Sequence, residues 1–175
     1  MIKRTEHLII LKLQSGDEEA LVDLYKEYEE PIFRFIYFRV SDRELAKDIT
    51  QDVFAKFLEV ANKERITNLK AYLYRIAKNL VIDNYRKQGK QQMVSLDQTA
   101  EVKTILGKES MEAKIDLEIA IKAVDQLKPM WREIIILRLV EGFEYEDIAD
   151  VLGKSENYIR VNLHRALNAV NEIIK

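Results

Sequence analysis

Residues 145–164 read YEDIADVLGKSENYIRVNLH, and the spacing within this stretch is typical of a helix-turn-helix. Ala149 is small where a second helix would cross, Gly153 can adopt a positive φ in the turn, and Ile159 can fill the angle between the helices. Ser155 is placed to cap the second helix, a contact that stabilises helices by about 0.5–2 kcal/mol. The pattern predicts a helix-turn-helix, and a plain helical hairpin inside a bundle is the alternative.

The second helix of this motif would present a polar and basic surface outward, with Tyr158 among its residues. Such a helix enters the major groove of DNA, where arginine pairs with guanine and a small apolar side chain contacts the thymine methyl group. A lone histidine on a helix is more often a surface residue than a functional one. The candidate DNA-contacting residues are Asn157, Arg160, Val161, His164 and Arg165.

Helical spacing continues upstream of the motif. One apolar face is expected to contain Ile115, Ile119, Ala120, Ala123, Val124 and Leu127. Pro129 suits the first turn of a further helix, which should end near Glu141. The apolar run 134–137 could be a strand by propensity, but the flanking residues and the length favour a buried helix.

The first half of the chain also has helical periodicity. We expect helices at 17–40, 41–60 and 69–89, and a polar loop at 61–68. Pro31 should kink or interrupt the first of these helices. Residues 41–44, Ser-Asp-Arg-Glu, have the pattern of a capping box that opens the second helix.

Between the two helical parts the composition changes to Gln, Ser and Thr, with Gly89 and Gly107 near the ends. This composition is typical of a flexible linker. The predicted fold class is all-α, with two small helical domains at 1–90 and 112–175 joined by a linker at 91–111.

The net charge is −2, but the charged residues are distributed unevenly along the sequence. Residues 61–90 have a net charge of +6, and the segments on both sides of them are acidic. On the predicted helix 69–89 the basic side chains recur on one side, with Ile82 among them and Lys90 beyond. Such a stripe could follow a phosphate backbone, and Asn79 could read a base edge. Tyr72, Tyr74 and Tyr85 could stack on unpaired bases, although Tyr72 suits the core better. A merely solvated face is the alternative. The candidate residues are Arg75, Lys78, Asn79, Asp83, Arg86 and Lys87.

The predicted helix 41–60 has an acidic outer face, which should repel DNA. The face is either solvated or a docking surface for a basic protein partner. It contains Glu44, Asp48, Gln51, Asp52 and Glu59.

Composition excludes several other functions. The 175 residues are 47% hydrophobic, include no Cys and include only two His, so disulfides, thiolate metal sites and multi-histidine metal sites are excluded. No cofactor is expected, since no phosphate-cradling glycine loop or nucleophile constellation is present, and the chain should not be an enzyme. Without a membrane-span-length apolar run or a signal-peptide pattern, we expect a cytoplasmic protein that does not insert into membranes.

Three blocks together resemble one family, the bacterial RNA polymerase sigma factors of the extracytoplasmic-function (ECF) group. Residues 42–54 (DRELAKDITQDVF) resemble its core-binding helix, and residues 69–86 (LKAYLYRIAKNLVIDNYR) resemble its −10 recognition helix. Residues 127–149 are similar to the start of its C-terminal domain, through Leu127-Lys128-Pro129, Arg132-Glu133, Leu137-Arg138, Glu141-Gly142 and Tyr145-Glu146-Asp147-Ile148-Ala149. The resemblance covers about 17–90 and 112–172 and implies sigma region 2 followed by region 4.

The resemblance implies partners and roles. Asp48, Gln51 and Asp52 match the surface that docks on the coiled coil of the largest subunit of core RNA polymerase, whose flap is a further contact. The −10 candidates match the helix that meets promoter DNA, and the loop at 61–70 matches the segment that captures a flipped base. Arg160 and Arg165 match −35 contacts. An inhibitory anti-sigma factor is a partner by family habit.

Two departures from the family pattern lie in the predicted recognition helix, where Asn157-Tyr158 and Val161-Asn162 replace common hydrogen-bonding residues. The preferred −35 sequence therefore does not follow from the resemblance. A stand-alone helix-turn-helix regulator remains the alternative function. It explains residues 145–165 but leaves 42–90 unexplained, and the sequence has no zipper-like dimer face.

Overall fold

A computed structural model describes residues 2–61, 63, 66–89 and 122–175 of the chain. Within these ranges every regular element is helical, which confirms the all-α prediction. The chain divides into two compact units, 1–92 and 93–175. The predicted linker at 91–111, the predicted helix start near residue 112 and Lys90 lie outside the described residues. None of the described helices combines the length and the apolarity that a membrane span requires.

The first unit contains four helices. They are α1 (Ile2–Gln14), α2 (Glu18–Val40), α3 (Arg43–Ala61) and α4 (Leu69–Lys87). The helix α1 was not predicted from the sequence. Pro31 was expected to kink or interrupt the first predicted helix, and it does not interrupt it, because α2 runs through it without a break. A proline removes one backbone hydrogen bond, and the complete burial of Ile32, Phe35 and Ile36 just after it offsets that cost.

The boundary between α2 and α3 differs from the predicted capping box by one residue. Ser41 has a left-handed backbone (φ 51°), and its N–H donates to the Tyr37 carbonyl, so it ends α2. Asp42 caps α3 instead, since its Oδ1 accepts the Leu45 N–H at 3.0 Å. A carboxylate at a helix N-terminus is also favoured by the helix dipole.

The apolar faces of α2, α3 and α4 pack against one another and form the core of the first unit. Aromatic side chains fill its centre: the rings of Phe35 and Tyr74 meet edge-on at 4.7 Å, and those of Tyr25 and Phe54 lie 4.6 Å apart. Fully burying one such side chain contributes roughly 1.5–3 kcal/mol. This packing fixes which sides of α3 and α4 remain outside.

The second unit forms the predicted helix-turn-helix. After helical residues at 122–125 come α5 (Pro129–Ile135), a π-helical turn (Ile136–Val140), α6 (Tyr145–Leu152) and α7 (Glu156–Ile174). Gly153 has φ 63°, and Ser155 Oγ accepts the Tyr158 N–H at 3.2 Å, which confirms both predicted roles in the turn. Ile148 and Ile159 are completely buried between the helices. The helix beginning at Pro129 is also confirmed, with its last turn widened to a π-helix.

Candidate nucleic-acid and protein interfaces

The basic side of α4 faces away from the core of the first unit. Leu73, Ala77 and Val81 are buried on the opposite side. Of the predicted −10 residues, Lys78 and Asp83 are half-buried. The exposed members are Arg75, Asn79, Arg86 and Lys87. Four of the six candidates are therefore open to solvent on the side away from the core, and the other two are partly covered.

Two contacts restrain cations in this stripe. The Arg75 guanidinium lies over the Tyr72 ring, 4.7 Å from its centroid, and Tyr72 contacts Phe57 of α3 edge-on. Arg86 Nη1 lies 3.6 Å from Asp83 Oδ1, the i,i+3 pairing that the sequence allows. Both pairs are weak at an exposed surface, so a phosphate can replace them at small cost.

The prediction that Tyr74 and Tyr85 stack on bases is wrong, because both rings are buried. The Tyr85 hydroxyl donates to the Arg39 carbonyl of α2, and burial raises the pKa of this phenol while the charge of Arg39 opposes the shift. Tyr85 therefore joins the end of α4 to the end of α2. Tyr72, which the sequence analysis assigned to the core, is only half-buried, and its ring contacts Phe57 at the edge of the core.

The acidic face of α3 is exposed along its length. Asp48, Gln51 and Asp52 are all exposed and share a side through i, i+3, i+4 spacing. Ala46, Ile49, Thr50, Val53, Phe54 and Phe57 are buried on the other side. Lys47 pairs with Glu44 at 2.7 Å near the start of the helix. The three candidate docking residues thus form one negative surface open to a basic partner.

The recognition helix α7 exposes every residue that the sequence assigned to DNA contact. Val161 is 40% exposed, and Tyr158 is 38% exposed. His164 Nδ1 lies 3.3 Å from Asn168 Nδ2 one turn later. The exposed candidates are Asn157, Arg160, Val161, His164 and Arg165.

Arg160 is restrained by two neighbours that the sequence analysis did not single out. Its Nε donates to Glu156 Oε1 at 3.0 Å, and its guanidinium lies over the Tyr145 ring at 4.5 Å. The hydrogen bond and the charge of Glu156 raise the pKa of Arg160 further above its usual range. Arg138 covers the same ring at 4.9 Å and pairs with Glu144 at 3.0 Å. Two cations therefore flank Tyr145 at the edge of the recognition surface.

Asn162 lies on the inner side of α7 and not on its exposed surface. It is 9% exposed, its Oδ1 accepts the Trp131 Nε1–H at 2.9 Å, and its Nδ2 donates to the Tyr158 carbonyl at 2.8 Å. The amide ties α7 to α5. The signal was available, because Asn162 falls within the buried stripe formed by Ile159, Leu163 and Ala166.

Family comparisons agree with the two units. The family model described as Sigma-70 region 2 matches residues 24–91, and the one described as Sigma-70, region 4 matches residues 117–170. Together they cover most of the chain. They define the class of the protein: a sigma-70 type factor with a region 2 bundle and a region 4 helix-turn-helix.

Individual relatives show to which group of sigma-70 type factors the chain belongs. RNA polymerase sigma factor SigV of Bacillus subtilis (strain 168) is 31% identical over 161 residues, covering 90% of this chain and 92% of SigV. RNA polymerase sigma factor YlaC of the same organism is 28% identical, covering 85% of this chain and 88% of YlaC. ECF RNA polymerase sigma factor BldN of Streptomyces coelicolor is 25% identical, and the chain spans 64% of its length. The chain belongs to the ECF RNA polymerase sigma factors.

Solved structures show the same fold. The structure of CnrH in complex with the cytosolic domain of CnrY matches with a TM-score of 0.70 at 19% identity, covering 97% of this chain and 96% of CnrH. The sigma factor RpoE of Bartonella quintana, in complex with the anti-sigma factor NepR, matches with a TM-score of 0.62 at 27% identity, covering 87% and 96%. RpoE and the relatives SigV and YlaC support an RNA polymerase sigma factor and not a stand-alone regulator.

Proposed function

We propose that this protein binds core RNA polymerase and directs it to promoters through separate −10 and −35 contacts. Residues 1–90 provide the docking and −10 surfaces, 91–111 connect the parts, and 112–175 provide the −35 surface. The main support is the pairing of an exposed acidic face on α3 with an exposed basic stripe on α4 in one helical bundle. The protein acts in the cytoplasm through contacts and performs no catalysis of its own.

The acidic face of α3 is the proposed polymerase contact. Asp48, Gln51 and Asp52 are exposed on one side, where carboxylates repel DNA and attract a basic surface. The proposed partner is the coiled coil of the largest subunit. Gln51 lies between the two carboxylates in sequence and adds a hydrogen-bonding group, which gives the contact direction as well as charge.

The basic stripe of α4 is the proposed −10 contact. Its cations neutralise phosphates, and Asn79 offers a donor and an acceptor to a base edge. The loop at 61–70 is the proposed site for a base flipped out of the duplex, and its residues 62, 64 and 65 lie outside the described part of the chain. Extruding a base costs a few kcal/mol, which contacts in the loop offset.

The recognition helix α7 is the proposed −35 contact. Arg160 and Arg165 provide guanidinium groups for base edges or phosphates, and Val161 provides an apolar contact for a thymine methyl group. Asn157 and His164 complete this surface. The polymerase flap is the proposed protein contact of the same domain.

An anti-sigma factor is the proposed regulator. Two structural neighbours, CnrH and RpoE, were solved with CnrY and with the anti-sigma factor NepR. An inhibitor that covers the α3 face or the α4 stripe would prevent polymerase or promoter binding.

Transcription in vitro tests the proposed function. Purified core polymerase is incubated with the full chain on a genomic DNA library, and the start sites are mapped. We expect new start sites that share two promoter elements, and retention of polymerase by the tagged chain. Failure of the chain both to bind polymerase and to change start sites would overturn the proposal.

A further inference from the structure

A series of side-chain contacts fixes the guanidinium of Arg160 at the start of the recognition helix. The series links the π-helical turn, the first residue of α6 and the first turn of α7, and consists of Arg138, Tyr145, Glu156 and Arg160. When the second helix of a helix-turn-helix enters the major groove, the residues near its N-terminus reach the base edges. These contacts therefore determine how one cation can meet DNA.

Glu156 occupies one edge of this guanidinium. Its Oε1 accepts Arg160 Nε at 3.0 Å and also accepts Arg160 Nη2. These bonds use two of the five N–H donors of an arginine side chain, and the other three lie on Nη1 and Nη2. The edge formed by Nη1 and Nη2 matches the O6 and N7 acceptors of guanine. In the part of the chain that the structure describes, Glu156 thus covers the edge that contains Nε and leaves the guanine-matching edge open.

Tyr145 occupies one face of the same guanidinium. The Arg160 group lies over the Tyr145 ring, 4.5 Å from its centroid. Arg138 also lies over this ring, at 4.9 Å, and its Nη1 donates to the carbonyl of Phe143 at 2.6 Å. The Phe143 side chain is almost completely buried, so these contacts connect the ring to the core of the unit. One edge and one face of the Arg160 guanidinium are therefore occupied before DNA binds.

We infer that Tyr145 and Glu156 are positioning residues that determine specificity, because they restrict Arg160 to end-on recognition of one guanine in the major groove. The inference rests on the proposed function, in which α7 contacts the promoter. It adds the base that is read and two residues that act through Arg160. An unrestrained arginine also reaches phosphates, and contacts with phosphates carry no direct sequence information.

A role in stability does not account for these contacts. The side chains of Arg160 and Glu156 are 58% and 46% exposed, and an ion pair at such a surface contributes little to folding. A carboxylate on a helix that faces DNA also repels phosphates, so Glu156 lowers the affinity for every sequence. Better discrimination between sequences offsets this loss, and a restrained guanidinium provides that discrimination.

Discrimination between base pairs tests the inference. The full chain, bound to core polymerase, is titrated with promoter fragments that carry each single-base-pair substitution in the −35 element. The position read by Arg160 is the one at which Arg160→Ala loses its preference, and we expect guanine there. Replacing this guanine by 7-deazaguanine, which lacks the N7 acceptor, should lower the affinity of the wild-type complex about fivefold, as expected for one lost hydrogen bond.

Variants of the two positioning residues should lose this response. In Tyr145→Leu and in Glu156→Ala, the loss caused by 7-deazaguanine should fall below about twofold, because the guanidinium is no longer preorganised. Glu156→Ala should also bind all fragments at least as tightly as the wild type, since a repulsive charge is removed. Tyr145→Phe keeps the ring and should respond like the wild type. In the Arg160→Ala background, Tyr145→Leu should have no further effect at the base pair that Arg160 reads.

Controls and contrary outcomes complete the test. Glu172→Ala removes an exposed carboxylate near the end of α7 and should leave the response to 7-deazaguanine unchanged. An unchanged response in Tyr145→Leu and Glu156→Ala, or a further loss at that base pair in the Arg160→Ala background, would overturn the inference alone. A base other than guanine at the position, or a uniform loss in Arg160→Ala, would do the same. If Arg160→Ala binds every fragment like the wild type, both the inference and the proposed −35 role of Arg160 are wrong.

Discussion

The two units restrain their proposed DNA contacts to different degrees. In the second unit, Arg160 is bonded to Glu156 and lies on the Tyr145 ring, so its guanidinium has a defined plane before DNA arrives. In the first unit, Arg86 is 78% exposed and lies 3.6 Å from Asp83. A fixed plane suits bidentate contact with a base edge in duplex DNA, whereas an exposed cation held only by a weak ion pair suits contact with a phosphate backbone.

The supporting contacts differ as well. The end of α4 is joined to α2 by the Tyr85 hydroxyl, which fixes the helix and leaves the adjacent Arg86 exposed. In the second unit, Asn162 fixes α7 through Trp131 while further side chains fix the arginine itself. The comparison indicates that the structure fixes the place of Arg86 in the first unit, and both the place and the orientation of Arg160 in the second unit.

The largest expected effect is a loss of polymerase binding by the first unit without a change in −35 DNA binding by the second unit. Replacing both carboxylates of the docking surface, Asp48→Arg with Asp52→Arg, should weaken polymerase binding by at least about 100-fold, since like charges placed across an interface repel strongly. Binding of the isolated −35 duplex by the full chain should not change. Polymerase affinity is measured by fluorescence anisotropy. The control, Glu29→Arg with Glu30→Arg, makes the same charge change at exposed positions on α2. An equal loss in both doubles would mean that only net charge matters.

The second-largest expected effect tests whether the oriented guanidinium of Arg160 reads a base pair. Arg160→Ala should reduce affinity for the preferred −35 duplex roughly tenfold to a hundredfold and should flatten the preference at one base pair. Affinities are compared across a set of single-base-pair substitutions. Lys175→Ala removes one exposed charge at the end of the same helix and should preserve the preference. A uniform loss over all sequences in Arg160→Ala would assign this residue to a phosphate and remove the contrast between the units.

Local patterns predicted the elements and the outward faces well. Gly153, Ser155 and Ile159 act within a few residues of one another, so spacing alone predicted the turn, its cap and its buried plug. The same applies to the stripes on α3 and α4, because helical periodicity determines which residues share a side. The identity of the cap at α3 was missed because Ser41 and Asp42 are both good capping residues, and only backbone geometry separates them.

Contacts between distant residues could not be predicted in this way. The Tyr85 hydroxyl bonds to a residue 46 positions away, and Trp131 bonds to one 31 positions away. A tyrosine on a helix looks the same in sequence whether its hydroxyl meets a base or a backbone carbonyl. Helix α1 was missed for a related reason, because its apolar residues are buried only by contact with three helices that lie far away in the sequence.

A smaller effect tests the exposed charges of α4. Arg86→Ala should weaken binding to promoter fragments a few-fold and reduce the slope of log affinity against log salt by about 1, with little change between sequences. Polymerase binding should remain near that of the wild type. Lys56→Ala, an exposed cation on α3, is the control and should not change the salt slope. A strong base preference lost with Arg86 would contradict the assignment to the backbone.

The smallest effect is a pH dependence that belongs to the first unit alone. Burial raises the pKa of Glu6 above its ordinary value of 4.5, so the folded state retains a proton that the unfolded state has already released. This group therefore stabilises the fold most below pH 4.5, and its contribution falls as pH rises through the pKa of the folded state. Glu6→Gln cannot titrate and should lose this component. Urea unfolding of both proteins between pH 4.5 and 8 gives the difference in free energy of unfolding. Parallel curves would show that Glu6 ionises as freely in the folded chain as in the unfolded one, which would contradict its burial between Tyr28 and the start of α4.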